Sequence, residues 1–176
     1  QSIVKDLGWR QLRPVQEESI PPLLAGNDAV ILAPTAGGKT ESALLPLLDK
    51  AFTAGEGPGP NILYLCPLKA LINNLLPRLN SLAGLVGKEA FAWHGEVTAS
   101  ARKAFLKEPK CILLTTPESL QVILSKRDLD PGEIFKGLQA IVIDEVHAFC
   151  GEHRGDQLLA LLAGLDGWCG RSLQRV

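Results

Sequence analysis

Ala33-Pro-Thr-Ala-Gly-Gly-Lys-Thr40 is the stretch from which the rest of the chain can be read. It matches the Walker A phosphate-loop pattern, with alanine in place of the first glycine and the Gly38-Lys39-Thr40 end intact. Ala29–Ala33 in front of it is a short apolar run that predicts a strand, and Thr40–Thr53 behind it predicts a helix. Gly37 and Gly38 let backbone N–H groups curl around an anion, and the helix beginning near Lys39 points its positive dipole end at the same place. In that frame Lys39 neutralises β and γ phosphates, Thr40 offers its hydroxyl to Mg²⁺, and Thr35 and Ala36 complete the loop. A glycine-rich turn that binds nothing is the bland alternative.

The same alternation continues along the chain. Asn61–Cys66, Glu89–Trp93, Cys111–Thr115 and Ala140–Asp144 read as further strands. Pro14–Ala25, Leu68–Leu82, Thr98–Lys107, Pro117–Ser125 and Gly155–Leu165 read as helices. Strands alternating with helices predict an α/β fold, a mostly parallel sheet with helices on both faces. Ligands of such sheets lie beyond the carboxyl ends of the strands. There Leu138-Gln-Ala-Ile-Val-Ile-Asp-Glu-Val-His147 places two adjacent carboxylates. Asp144 suits a metal ion opposite Thr40, and Glu145 suits the general base that polarises an attacking water. Without the phosphate loop, the same pair would read equally well as a helix cap or a solvated turn.

A chain of 176 residues, 46% hydrophobic, suits one domain with one continuous core. No run reaches the roughly 18 apolar residues of a membrane span, and Gln1–Arg10 lacks a signal-peptide pattern, so an intracellular, cytoplasmic protein is expected. Cys66, Cys111, Cys150 and Cys169 form no C-x-x-C pair, which argues against zinc and against a disulfide framework. A net charge of -1 argues against a broad basic face, yet a narrow track of backbone N–H groups would leave the charge unchanged. The chain contains no methionine, so a fragment of a longer protein is expected.

The phosphate loop and the Asp144-Glu-Val-His147 quartet together resemble motifs I and II of the superfamily 2 DExH-box helicases. Cys66-Pro-Leu-Lys-Ala-Leu71 resembles motif Ia, and Thr115-Thr-Pro-Glu-Ser-Leu120 resembles motif Ib. The resemblance implies that Pro67, Lys69, Ala70, Thr116 and Pro117 grip the backbone of one nucleic-acid strand. It also implies that His147 links γ-phosphate state to the rest of the motor. For Lys69 a solvated lysine is the alternative; for Thr116 a simple helix N-cap competes equally. Trp93-His-Gly-Glu96 is similar to the family's His-Gly element, which makes His94 and Gly95 strand contacts, though a buried tryptophan and a turn glycine explain it nearly as well.

Gly8-Trp-Arg-Gln-Leu-Arg-Pro-Val-Gln16 is similar to the Q motif, in which Gln16 reads the adenine edge, with Trp9 and Arg13 as weaker candidates for packing on the base. Gly151-Glu-His-Arg-Gly-Asp156 is similar to the Arg-Gly step of Lhr-like DNA helicases. The one departure is Ala36, where motif I most often has glycine.

Residues 1–176 are thus identified as an N-terminal RecA-like, ATP-binding domain. Motif III and the second RecA-like domain, which supplies catalytic arginines in cis, are expected beyond Val176. The implied activity is an ATP- and Mg²⁺-dependent helicase or translocase, with single-stranded DNA favoured over RNA. An RNA remodeller on the same domain is the alternative, and a P-loop kinase-type transferase a more distant one.

Overall fold

The computed structural model describes residues 11–34, 36–55 and 57–176, with Glu152 described by its backbone alone. Gly8, Trp9 and Thr35 lie outside the described residues. Helix α1 (Pro14–Leu24) leads to α2 (Lys39–Thr53), followed by β1 (Ile62–Leu65), α3 (Lys69–Gly84), β2 (Ala90–Trp93), α4 (Ala99–Lys107), β3 (Ile112–Thr115) and α5 (Pro117–Ser125). After these come a short α6 (Pro131–Ile134), β4 (Ala140–Ile143), a 3₁₀ turn (Val146–Phe149), α7 (Glu152–Cys169) and β5 (Gln174–Arg175). The strands lie in the order β2-β3-β1-β4-β5, and every described pairing is parallel.

Both faces of the sheet are covered, which is why its strands are apolar throughout and not alternating. Ile62, Tyr64, Ile112, Leu114, Ala140 and Val142 point to one face and pack with α2 and α3. Leu63, Leu65, Leu113 and Ile141 point to the other and pack with Phe105, Leu120, Leu158 and Leu162. The period of two along each strand thus splits a single apolar run between two cores. None of the described helices is long and apolar enough to cross a membrane.

Pro46 sits inside α2, where it cannot donate to the carbonyl four residues back, that of Ser42. The Ser19 hydroxyl from α1 lies 3.4 Å from that carbonyl and 3.3 Å from the carbonyl of Gln16, either of which can accept its proton.

One expected strand does not form. Ala29–Ala33 has no strand geometry; Ile31 packs on the core, but the segment's one described backbone hydrogen bond to the sheet is the Ala29 N–H donating to the Arg175 carbonyl at 3.0 Å, and Val30 and Leu32 are 78% and 84% exposed. Apolar composition gives a segment the ability to pair but not a partner, and among the described residues β5 offers it only that one rung. The fifth strand comes instead from Gln174–Arg175, which the apolar pattern did not mark. It is held by Val176 N–H on the Ile141 carbonyl at 2.9 Å, by Gln174 Nε2 on the Leu23 and Asn27 carbonyls at 3.0 and 2.7 Å, and by Lys50 Nζ on Gln174 Oε1 at 2.8 Å.

Candidate functional site

The phosphate loop folds tightly. Gly37 N–H donates to the Pro34 carbonyl at 2.8 Å, and a Cβ on Gly37 would lie 2.7 Å from that oxygen and 2.9 Å from Ala33 Cβ. Glycine is therefore required there by contact. Gly38, at the N-cap of α2, has φ 95° and is required by backbone conformation as well. Ala36 takes the left-handed region too, with φ 60°, at the position where motif I most often has glycine. Lys39 Nζ folds over the loop and donates to the Ala33 carbonyl at 2.9 Å.

Gln16 is buried behind this loop, 1% exposed, where its Oε1 accepts the Arg13 N–H at 2.9 Å. A Cβ on Gly38 would come within 2.8 Å of Gln16 Nε2. The Arg13 guanidinium donates to the Ala36 carbonyl. Gln16 and Arg13 thus brace the phosphate loop from the start of α1.

Across the cavity, Asp144 closes β4 with its N–H on the Leu65 carbonyl at 2.9 Å. Burial pushes its carboxyl above the ordinary aspartate range, and the charge of the adjacent Glu145 pushes it the same way, while Tyr64, the Glu145 N–H and Lys39 pull it down. Glu145 is left-handed, φ 49° and ψ 49°, a conformation that side chains with a Cβ rarely adopt, and it turns the chain sharply out of the strand. The exposed His147 brings Nδ1 to 3.4 Å from Glu145 Oε2.

Lys39, Thr40, Tyr64, Asp144, Glu145 and His147 line one cavity of about 690 Å³ at the carboxyl end of the sheet. A larger hollow of about 860 Å³ lies at the opposite, amino-terminal end, lined by Asn61, Lys88, Glu89 and Cys111, and holds none of these groups. No cluster of three or more His, Cys, Asp or Glu side chains able to hold a metal occurs among the described residues. Thr40 and Asp144, one hydroxyl and one half-buried carboxylate, nevertheless fit Mg²⁺, which takes few protein ligands and completes its shell with phosphate oxygens and water.

Because the sheet is parallel, the residues expected to hold a nucleic-acid strand emerge on the same edge. Pro67 is buried after β1, and Lys69 opens α3 beside the exposed Ala70. The Lys69 ammonium is paired with the Glu96 carboxylate, which it holds below the ordinary range. His94 is 7% exposed with Nδ1 unpartnered among the described residues, while its carbonyl and that of Gly95 accept from Arg102 Nη2 at 2.9 and 3.2 Å. Trp93 is core, edge-on to Phe105. Thr116 is the N-cap of α5, its hydroxyl accepting the Ser119 N–H at 3.3 Å, and Pro117 is buried as the first helical residue.

Two contributors escaped the sequence reading. Tyr64 faces Thr40 and Asp144, and burial raises its phenol well above the ordinary range. Its period-two position between Ile62 and Cys66 puts it on the α2 face, a signal the sequence did contain. Glu41, next to Thr40, is 7% exposed and takes both Nε and Nη2 of Arg78 on one oxygen, tying α2 to α3. No local pattern marks a pair 37 residues apart.

Comparison with known proteins agrees with this geometry. The DEAD/DEAH box helicase family matches residues 13–176. The chain is 31% identical over 188 aligned positions to the Lhr helicase/uracil glycosylase of Escherichia coli, covering 96% of this chain and 12% of that protein. It is 30% identical to the ATP-dependent helicase Lhr-Core of Saccharolobus solfataricus, covering 85% of this chain and 18% of that one. Among solved structures, the Mycobacterium smegmatis helicase Lhr bound to ssDNA and AMP-PNP superposes with a TM-score of 0.80 at 27% identity, covering 99% of this chain and 24% of that chain. The chain therefore spans less than a fifth of the length of these two curated relatives.

Proposed function

This chain belongs to the DEAD/DEAH box helicase family, and we propose that it is the ATP-binding half of an ATP-dependent DNA helicase or translocase acting in the cytoplasm. The carrying observation is the convergence of Lys39, Thr40, Asp144 and Glu145 on one cavity at the carboxyl end of the sheet.

In this reading the loop N–H groups and the N-terminus of α2 receive the phosphates, and Lys39 exchanges the Ala33 carbonyl for phosphate oxygens. Thr40 and Asp144 would hold Mg²⁺, which when bound would supply positive charge to the phosphate oxygens. Glu145 orients and deprotonates the attacking water, and His147, whose Nδ1 lies 3.4 Å from the Glu145 carboxylate, is the link to the rest of the motor. Gln16, with Arg13, holds the loop in shape from behind and serves the adenine side. Pro67, Lys69, Ala70, His94, Gly95, Thr116 and Pro117 line the strand track, where a phosphate would displace Glu96 from Lys69. Single-stranded DNA is the preferred partner, supported by the ssDNA bound to the M. smegmatis relative. A second RecA-like domain in cis supplies the arginines that complete the hydrolytic site.

The test is the ATPase rate of the full-length protein with and without single-stranded DNA or RNA, with Glu145→Gln as the control. Stimulation by DNA that the variant lacks supports the proposal. Stimulation by RNA alone makes the protein an RNA remodeller, and hydrolysis indifferent to either nucleic acid overturns the motor reading.

A further inference from the structure

Arg154, in the first turn of α7, touches three segments to which the proposed function gives different tasks. Its Nη2 donates to the Pro67 carbonyl at 2.9 Å, at the exit of β1, and to Glu118 Oε1 at 3.3 Å, in the first turn of α5. Its Nη1 reaches the Ala148 carbonyl at 3.5 Å, in the 3₁₀ turn that follows Asp144 and Glu145. The guanidinium lies over the ring of Phe149, 5.3 Å from the centroid, and Phe149 is itself 2% exposed.

The connection to the hydrolytic carboxylate is short. Ala148 N–H donates to the Glu145 carbonyl at 2.7 Å, so Arg154 is two hydrogen bonds from the residue that handles water. On the other side, Pro67 lies two residues before Lys69, and Glu118 two residues after Thr116. Phe149 packs against the cation, so a shift of either strand-contacting segment must move the fork or break one of its bonds. A lysine has a single donor head and cannot reproduce these forked contacts.

We propose that Arg154 is a positioning residue that couples the nucleic-acid track to the hydrolytic turn: occupancy of the track at the Pro67 loop and at the first turn of α5 sets the placement of Ala148 and, through it, of Glu145. The inference rests on the reading of this chain as part of a nucleic-acid-stimulated ATPase. Arg154 would act through Pro67, Glu118 and Ala148, setting how far the strand stimulates hydrolysis.

The experiment compares full-length wild type with Arg154→Lys and Arg154→Ala. ATPase is measured without nucleic acid and along a titration of single-stranded DNA, and DNA binding is measured separately without nucleotide. Coupling between sites of this kind amounts to about 5- to 150-fold, so maximal stimulation should fall by about fivefold or more in both variants. Unstimulated hydrolysis and nucleotide-free DNA binding should stay near wild type. Arg154→Lys keeps the charge and guards against a loss that is only misfolding, which would lower unstimulated hydrolysis as well. Full stimulation in Arg154→Lys overturns the proposal, as does a parallel fall of stimulated and unstimulated rates in that variant. A wild type that neither DNA nor RNA stimulates overturns the motor reading itself, a result distinguishable from the first two because it needs no variant.

Discussion

Glu145 occupies a backbone conformation that suits glycine or asparagine, at φ 49° and ψ 49°. Replacing it with asparagine, which tolerates the left-handed region, should recover most of the roughly 1–2 kcal/mol that this conformation costs an ordinary side chain. Glycine would recover the same strain but lose about 0.5–1 kcal/mol to unfolded-chain entropy, so asparagine is the cleaner probe. Glutamine is the matched control: it keeps length and strain and removes only the charge. Both variants remove the like charge beside Asp144, so the difference between them reports the backbone strain together with the one methylene by which asparagine is shorter. Urea denaturation of the 176-residue chain should show Glu145→Asn more stable than Glu145→Gln by about 1 kcal/mol, a Tm difference of about 2–4 °C for a domain of this size. In the full-length protein both should lose the proposed general base, lowering ATP turnover by about 10²- to 10⁴-fold. Equal stability of the two variants would refute the strain argument. Wild-type turnover in Glu145→Gln would refute the base assignment without touching it.

Three further outcomes follow from the same geometry. Gly37→Ala, whose new Cβ would lie 2.7 Å from the Pro34 carbonyl oxygen, should open the loop and weaken nucleotide binding, measured by titration with a fluorescent ATP analogue, while α2 and the sheet remain folded by circular dichroism. Glu96→Gln releases the Lys69 ammonium and should raise affinity for single-stranded DNA at low salt, an effect that Lys69→Ala abolishes in the same fluorescence-anisotropy assay. Of the four thiols, the exposed Cys150 should react with a disulfide reagent at pH 8. Cys66 and Cys111, buried and pushed up to about 12 and about 11, should stay unreactive until urea unfolds the chain. Raising the pH should bring thiolate chemistry to Cys111 before Cys66, so early labelling of Cys66 in the folded state would contradict its burial.

Glycines at a tight turn, a lysine and threonine behind them, and two carboxylates at the end of an apolar run carry their chemistry in their spacing, so the phosphate loop and the acidic strand end were legible before any coordinates. So were four strands, because burial on both faces leaves a continuous apolar signature, and the helices α3 and α5, which begin within a residue of where they were expected. Pairing is a property of two segments. Ala29–Ala33 has the composition of a strand and only one described rung, whereas Gln174–Arg175 has no such composition and is recruited by Ala140, Ile141 and the side chains that hold Gln174. The use made of a polar side chain was equally a matter of tertiary contact. Thr116 caps a helix, Gln16 braces a loop and Lys69 meets Glu96, three roles set by which neighbour the fold brings within hydrogen-bonding reach. Arg154 is the clearest case: an arginine near the start of a helix in the linear chain becomes, through contacts 87 and 36 residues away, a junction between a loop, the first turn of α5 and a 3₁₀ turn.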